Sequence, residues 1–241
     1  LPRAEPPGTA VPAADALVRA LGAIARRHGL WIAGAAPVRD AAGVQTLGVI
    51  VAPDGVVVLR VPKVTPDVFD GFTDSTATLG APLDFAAVAT PFGKLGLLTG
   101  EDLLVPGLVR GTMLAGAELL LSPTAGHAPG TAESLAELPT AIAYENWCAV
   151  AVASPATRRL GGIDAAQATR SGLFDQRGLA VRAAPGEAFC SVRFEVEVIR
   201  LARARVSPDL YDNFPVWLRA PLFGAVFAHQ AAQRPAPAAP A

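Results

Sequence analysis

Two stretches of this chain bring together residues that could do chemistry. One is Gly96-Leu97-Leu98-Thr99-Gly100-Glu101-Asp102-Leu103-Leu104-Val105-Pro106, which reads as an apolar strand, a sharp bend and the start of a helix. The other is Arg60-Val61-Pro62-Lys63-Val64, with Lys63 at its end. A lysine near carboxylates can pair with them, hold an anionic ligand or stabilise developing negative charge. Lys63 is expected either to pair with Glu101 or Asp102 or to bind a ligand. Covalent acyl transfer needs, in addition, a nucleophile within reach of a base. Thr99 is a poor candidate. Strand alternation turns its side chain away from the Gly100 side, and no histidine lies nearby in sequence to activate it.

The other polar candidates carry weaker signals. His127, in Ala125-Gly126-His127-Ala128-Pro129-Gly130, follows the C-terminal end of a strand, where α/β folds place ligands. It is either a pocket residue or a solvent-facing loop residue. His28 sits at a helix end beside Arg26 and Arg27, where positive charge complements the helix dipole. Glu145 and Asn146 are expected to brace a helix-to-strand junction. The three histidines and two cysteines are far apart and form no metal-ligand spacing. Gly161-Gly162 lacks the following helix of a phosphate-binding loop. No cofactor is expected.

The elements around these residues alternate. A helix is predicted from Pro12 to His28, with Leu17, Leu21 and Ile24 on one face and Gly29 as its stop. Strands are predicted at Leu30–Ala35, Thr46–Ala52 and Val56–Val61, the last two joined by the turn Pro53-Asp54-Gly55. Residues 62–83 read as a long loop. Phe85–Thr90 and Leu95–Thr99 form a hairpin-like pair, Pro106 opens a helix ending near Gly116, and Leu119–Ser122 is a buried strand. Glu133–Trp147 reads as a helix that Pro139 bends or divides. Cys148–Ser154 and Phe189–Val198 complete the strands. The class is α/β with a mixed sheet.

Composition narrows the possibilities. A chain of 241 residues, 51% of them hydrophobic, can bury a single large core. No apolar run reaches the ~18–20 residues of a membrane span. A net charge of −1 supplies no basic field for nucleic acid. Cys148 and Cys190 lie in strand-like apolar runs and read as buried free thiols. Nothing at the start resembles a secretory signal, and the expected location is cytoplasmic. The chain begins at Leu1, so an upstream segment is expected to be missing.

Several ordered blocks resemble the nitrilase superfamily of carbon–nitrogen hydrolases. Their nucleophile elbow usually reads Gly, two or three apolar residues, Cys-Tyr-Asp, two residues, then Phe-Pro-Glu. Here Asp102 and Pro106 fall in register, as do Arg110 and Ala115-Gly116-Ala117-Glu118-Leu119-Leu120-Leu121-Ser122-Pro123. Val44-Gln45-Thr46-Leu47-Gly48-Val49 resembles the family's Tyr-Asn-Thr-Ala strand. Pro53-Asp54-Gly55 followed by Arg60-Val61-Pro62-Lys63-Val64 resembles the strand leading to Tyr-Arg-Lys-x-His. Ala141-Ile142-Ala143-Tyr144-Glu145-Asn146 resembles the helix Ala-Arg-Ala-x-Glu-Asn. The resemblance covers about residues 1–206. It implies an α-β-β-α sandwich with mixed sheets, whose first strand–helix unit is absent from this sequence. Leu1-Pro2-Arg3 aligns with the motif that follows that unit.

The resemblance also implies roles. Family members use a cysteine nucleophile, a glutamate base, a lysine and often a second glutamate. These positions fall on Gly100, Arg3, Lys63 and Thr73; a shift by two residues would put Glu5 in the base position. Only the lysine is of the family's type. Glu101 stands where the family has tyrosine. The expected site is therefore a vestigial pocket of Lys63, Thr73, Gly100, Glu101 and His127. The leading expectation is a nitrilase-like pseudoenzyme, a structural or small-ligand-binding subunit. The alternatives are a divergent amide or nitrile hydrolase or acyl transferase working without the cysteine, and a sensor holding an acid near Lys63. Expected partners are a second copy of the chain or another protein subunit, with a small carboxylate as candidate ligand. Residues 207–230 are expected to form an apolar interface segment, because Tyr211, Phe214, Trp217 and Phe223 crowd there. Residues 231–241 read as a disordered Pro/Ala tail.

Overall fold

The structure, a computed structural model, describes residues 14–40, 43–65, 85–124, 137–155, 157–160, 163–166, 170–175, 177–184 and 189–205. Two compact units divide the chain, Leu1–Ile199 and Arg200–Ala241. Of the second, only the end of one helix is described. The first holds all the described strands.

Helix α1 (Ala14–His28) begins the described chain. Strands β1 (Ile32–Asp40), β2 (Gly43–Val51) and β3 (Val57–Pro62) form an antiparallel sheet in that order. Strands β4 (Val88–Thr90), β5 (Gly93–Leu97), β6 (Leu119–Pro123), β7 (Ala149–Ala153), β10 (Gly172–Asp175) and β11 (Gly178–Arg182) form a six-stranded sheet, ordered β11-β10-β7-β6-β5-β4. Pairs β5–β6 and β6–β7 are parallel; β4–β5, β7–β10 and β10–β11 are antiparallel. The sheet is mixed because helices α2 (Pro106–Leu114) and α3 (Leu138–Asn146) supply the crossovers between its parallel strands. A separate hairpin pairs β8 (Thr157–Leu160) with β9 (Ile163–Ala166), and α4 (Glu197–Arg205) ends the described chain.

Side-chain alternation sorts these elements into four layers. Val49 and Val51 of β2 pack with Leu17, Leu21 and Ala25 of α1. Ile50 points the other way and meets Leu95 and Leu97 of β5 between the sheets. On the far face of the six-stranded sheet, Leu120 and Val150 pack with Leu108, Val109 and Met113 of α2 and Ile142 of α3. The order is helix, sheet, sheet, helix, the expected α-β-β-α sandwich. Gly48 lets the sheets approach: a Cβ there would lie 3.0 Å from Leu97 Cδ2 and 3.3 Å from Thr99 Oγ1. No helix among the described residues is long and apolar enough to cross a membrane.

Several expectations are corrected. The α1 face uses Leu17, Leu21 and Ala25, while Ile24 is exposed. Strand β1 runs past Ala35 to Asp40, pairing Pro37 with Thr46; as an edge strand it tolerates a proline. Pro139 lies in the first turn of α3, where the described helix begins; residues 133–136 of the expected helix lie outside the described residues. The strand expected at Phe189–Val198 is absent. Residues 189–195 are irregular, and Glu197 starts a helix. Phe194 and Ile199 still bury apolar surface, but against Ala149 and Leu173 of the six-stranded sheet. Cys190 therefore lies outside any strand and is half-buried, whereas Cys148 is fully buried; both are free thiols.

Candidate functional site

The site forms where β3 and β5 leave their sheets. Lys63 directly follows β3, and its backbone N–H donates to Thr46 O at 2.8 Å, extending the ladder by one residue. After β5, Leu98 N–H still donates to Leu121 O at 3.0 Å. The chain then turns into a short 3-10 helix, Gly100–Leu104. Thr99 keeps the inward parity of Leu95 and Leu97, is buried, and its hydroxyl finds no hydrogen-bond partner among the described residues. Its side chain faces the Gly48 approach between the sheets.

Gly100 occupies the bend with φ +54°, the left-handed region that costs an L-residue about 1–2 kcal/mol. A Cβ built on it would lie 3.4 Å from Lys63 Cε and 3.9 Å from Lys63 Nζ. Among the described residues, apart from its chain neighbours, nothing else comes within 4 Å of that point. The space a side chain would fill at residue 100 is thus bordered by the end of the Lys63 side chain.

Lys63 is almost wholly buried, and its Nζ lies 2.7 Å from Glu101 Oε2. Of the two partners expected for it, Glu101 makes the close ion pair. Asp102 does something the sequence pattern did not reveal. Its carboxylate accepts the Val64 N–H at 3.0 Å and the Thr65 N–H at 2.6 Å. Burial pushes the Asp102 carboxyl above its ordinary 3.8, while the Val64 and Thr65 hydrogen bonds and the Lys63 charge pull it back. Asp102 thereby ties the segment after β3 to the bend after β5 and holds Lys63 in place. A fully buried aspartate must find donors. The legible signal was a carboxylate just past a bend, next to amides that a departing strand leaves unpaired.

The neighbouring helices are fixed around this bend. Arg110 of α2 donates through Nη2 to Glu145 O at 3.3 Å, and Asn146 Nδ2 donates to Ile142 O at 2.9 Å. Both contacts brace the end of α3, where Trp147 takes a left-handed conformation before β7. Arg3, Glu5, Thr73 and His127 lie outside the described residues. No group of His, Cys, Asp and Glu among the described residues could hold a metal ion.

With both acids ionised, the described centre holds one ammonium and two carboxylates. It can bind charge, but a developing oxyanion next to Glu101 would be opposed by a carboxylate one hydrogen bond from the lysine.

The sequence model for carbon-nitrogen hydrolases matches residues 2–174. The chain belongs to the carbon-nitrogen hydrolase family. It is 32% identical to the human deaminated glutathione amidase over 148 residues and 30% identical to the protein of that name from Bos taurus. Each match takes in 58% of this chain and only 44% of the relative's length. The fold resembles that of Saccharomyces cerevisiae Nit3, a member of branch 10 of the nitrilase superfamily (TM-score 0.66, 22% identity, 85% of this chain and 72% of that one). It also resembles a carbon-nitrogen hydrolase from Helicobacter pylori G27 (TM-score 0.66, 19% identity, 83% and 76%).

Proposed function

We propose that this chain is a non-catalytic member of its family, a structural or ligand-binding subunit that keeps the frame of the hydrolytic site without its nucleophile. One observation carries the reading. Gly100 stands at the bend with a left-handed backbone, and the place where its side chain would project is bordered by Lys63. That is the arrangement an elbow nucleophile would need, with the reacting atom missing. Where catalytic groups act as a unit, loss of the nucleophile alone costs roughly a millionfold in turnover. The test is a panel of amides, nitriles and N-carbamoyl compounds offered to the purified full-length protein. The expected result is no hydrolysis above background; turnover that Lys63→Met abolishes would overturn the reading.

A second reading is favoured by the relatives, which are named as amidases and support it more directly than they support the first. In it the chain is a divergent carbon–nitrogen hydrolase or acyl transferase that works without the cysteine. The same panel separates the two, because only this reading requires product.

A further inference from the structure

The Lys63–Glu101 pair has an unusual asymmetry. The lysine side chain is 2% exposed, so its ammonium must be matched by an anion close at hand. The Glu101 side chain is 18% exposed, so its carboxylate already reaches water and can leave the pair without being stranded. Asp102 cannot make that exchange, because the amides of Val64 and Thr65 hold both its oxygens. Beside the pair lies the space at Gly100, which among the described residues only Lys63 Cε and Nζ approach, at 3.4 and 3.9 Å.

We propose that Glu101 is a built-in, displaceable occupant of an anion site on Lys63, and that a small monocarboxylate takes its place using the space beside Gly100. The proposal rests on the reading of Gly100 as an elbow without a nucleophile, since a side chain there would fill the space. A carboxylate oxygen in that space comes within reach of a charge-assisted hydrogen bond to the ammonium, about 2.7–2.9 Å long. A small ligand is proposed because the observed space is that beside the Cβ position of residue 100. It must be a monoanion, because Asp102 stays buried alongside and repels a second charge. An amide of the same shape lacks the charge and cannot replace Glu101 in satisfying the lysine. Glu101 competes as a tethered ligand, so its effective concentration weakens every external acid.

The experiment titrates acetate into the full-length protein at constant ionic strength, read by calorimetry and by thermal melting, with acetamide, chloride and sulfate as controls. The wild type should bind acetate weakly. Glu101→Ala should bind it about tenfold more tightly, since the tethered competitor is gone, and acetate should raise the Tm of this variant more than that of the wild type. Glu101→Gln, which keeps the shape and loses the charge, should behave the same way if the alanine variant folds poorly. Lys63→Met should bind no acetate. Equal responses to acetate and acetamide, equal responses to acetate and chloride, or no tightening in either Glu101 variant would overturn the proposal. Hydrolysis of the amide panel would sink the non-catalytic reading without bearing on acetate binding. A protein that neither hydrolyses amides nor binds acetate would sink this proposal alone.

Discussion

Placing a thiol at the bend is the most direct test of the site geometry. Gly100→Cys places an L-residue at φ +54°, which should cost about 1–2 kcal/mol of backbone strain. Among the described residues the new Cβ itself meets no clash, since it would sit in ordinary van der Waals contact 3.4 Å from Lys63 Cε. For a chain of this size the loss corresponds to a fall in Tm of roughly 2–8 °C. Gly100→Ala should show the same fall, since strain alone causes it. The introduced thiol would lie beside the Lys63 ammonium, which draws it below the ordinary ~8.5 of cysteine, with the Glu101 carboxylate opposing that pull, so Lys63→Met should raise it. A drop of about one pH unit would raise its thiolate fraction at neutral pH nearly tenfold. Iodoacetamide labelling followed by peptide mass spectrometry reads this out, with Cys148 as the buried internal control. Labelling should be fast at residue 100 and slow at Cys148, and Lys63→Met in the same background should slow it. If Lys63→Met leaves the rate unchanged, the thiol does not face the lysine and the geometry is wrong. If neither substitution lowers the Tm, the left-handed bend is wrong.

Three further outcomes are expected from the same contacts. Asp102→Asn should destabilise the protein by roughly 1–3 kcal/mol, because the Nδ2 group, a donor only, replaces one of the two oxygens that accept from Val64 and Thr65. The folded-state value of Asp102 lies above its ordinary 3.8, so the native state holds the proton more tightly and the contribution of Asp102 falls as pH rises through that interval. Denaturant titrations should therefore show the gap between wild type and variant narrowing from acid towards neutral pH; a widening gap would refute the assignment. Gly48→Val should cost about 1–3 kcal/mol by forcing the sheets apart at Leu97 and Thr99, and a denaturant midpoint unchanged from wild type would count against that close approach. Deleting residues 207–241 should yield aggregate or dissociated monomer if Tyr211–Phe227, outside the described residues, is the interface segment; a soluble oligomer of otherwise unchanged stoichiometry by native mass spectrometry would show that it is not.

Much of the frame could be read from local signals. Gly29 after a helical stripe, Pro53-Asp54-Gly55 between apolar runs and the uninterrupted Leu119-Leu120-Leu121 each point to one local structure, and the structure forms it. The errors came where tertiary packing overrides pattern. Phe189–Val198 mixes apolar and charged residues in a strand-like way, yet only Phe194, Val196 and Ile199 need burial, and an irregular stretch leading into a helix supplies that. The short hairpin strands β8 to β11 have no such marker: Thr157–Leu160 is half arginine, and β10 depends on Val150–Val152 of β7 for its pairing. At the site, the family resemblance brought Lys63 near the bend but could not choose its partner. Glu101 and Asp102 differ only in side-chain direction, which the 3-10 turn decides.

The division of labour between these two acids separates what holds the bend from what meets the lysine. Asp102 is tied to backbone amides, so it links the end of β3 to the bend after β5 whatever reaction the centre performs. Removing it would loosen both sheets at once. Gly48 is constrained in the same way by the approach of Leu97 and Thr99. Residue 100 has no such duty. A side chain there would touch only the end of Lys63 among the described residues outside its chain neighbours, and a glycine relieves the strain that any other residue would impose. Glycine at the bend therefore stabilises the fold. Lys63 then remains as a buried charge in need of an anion, and a carboxylate at position 101 supplies it from within the chain. Both positions border the Lys63 ammonium, so the two are expected to be energetically coupled. A double-mutant cycle between Gly100→Cys and Glu101→Tyr should show that coupling as a departure from additivity of about 0.5–3 kcal/mol, and simple additivity would mean that the two residues meet Lys63 independently.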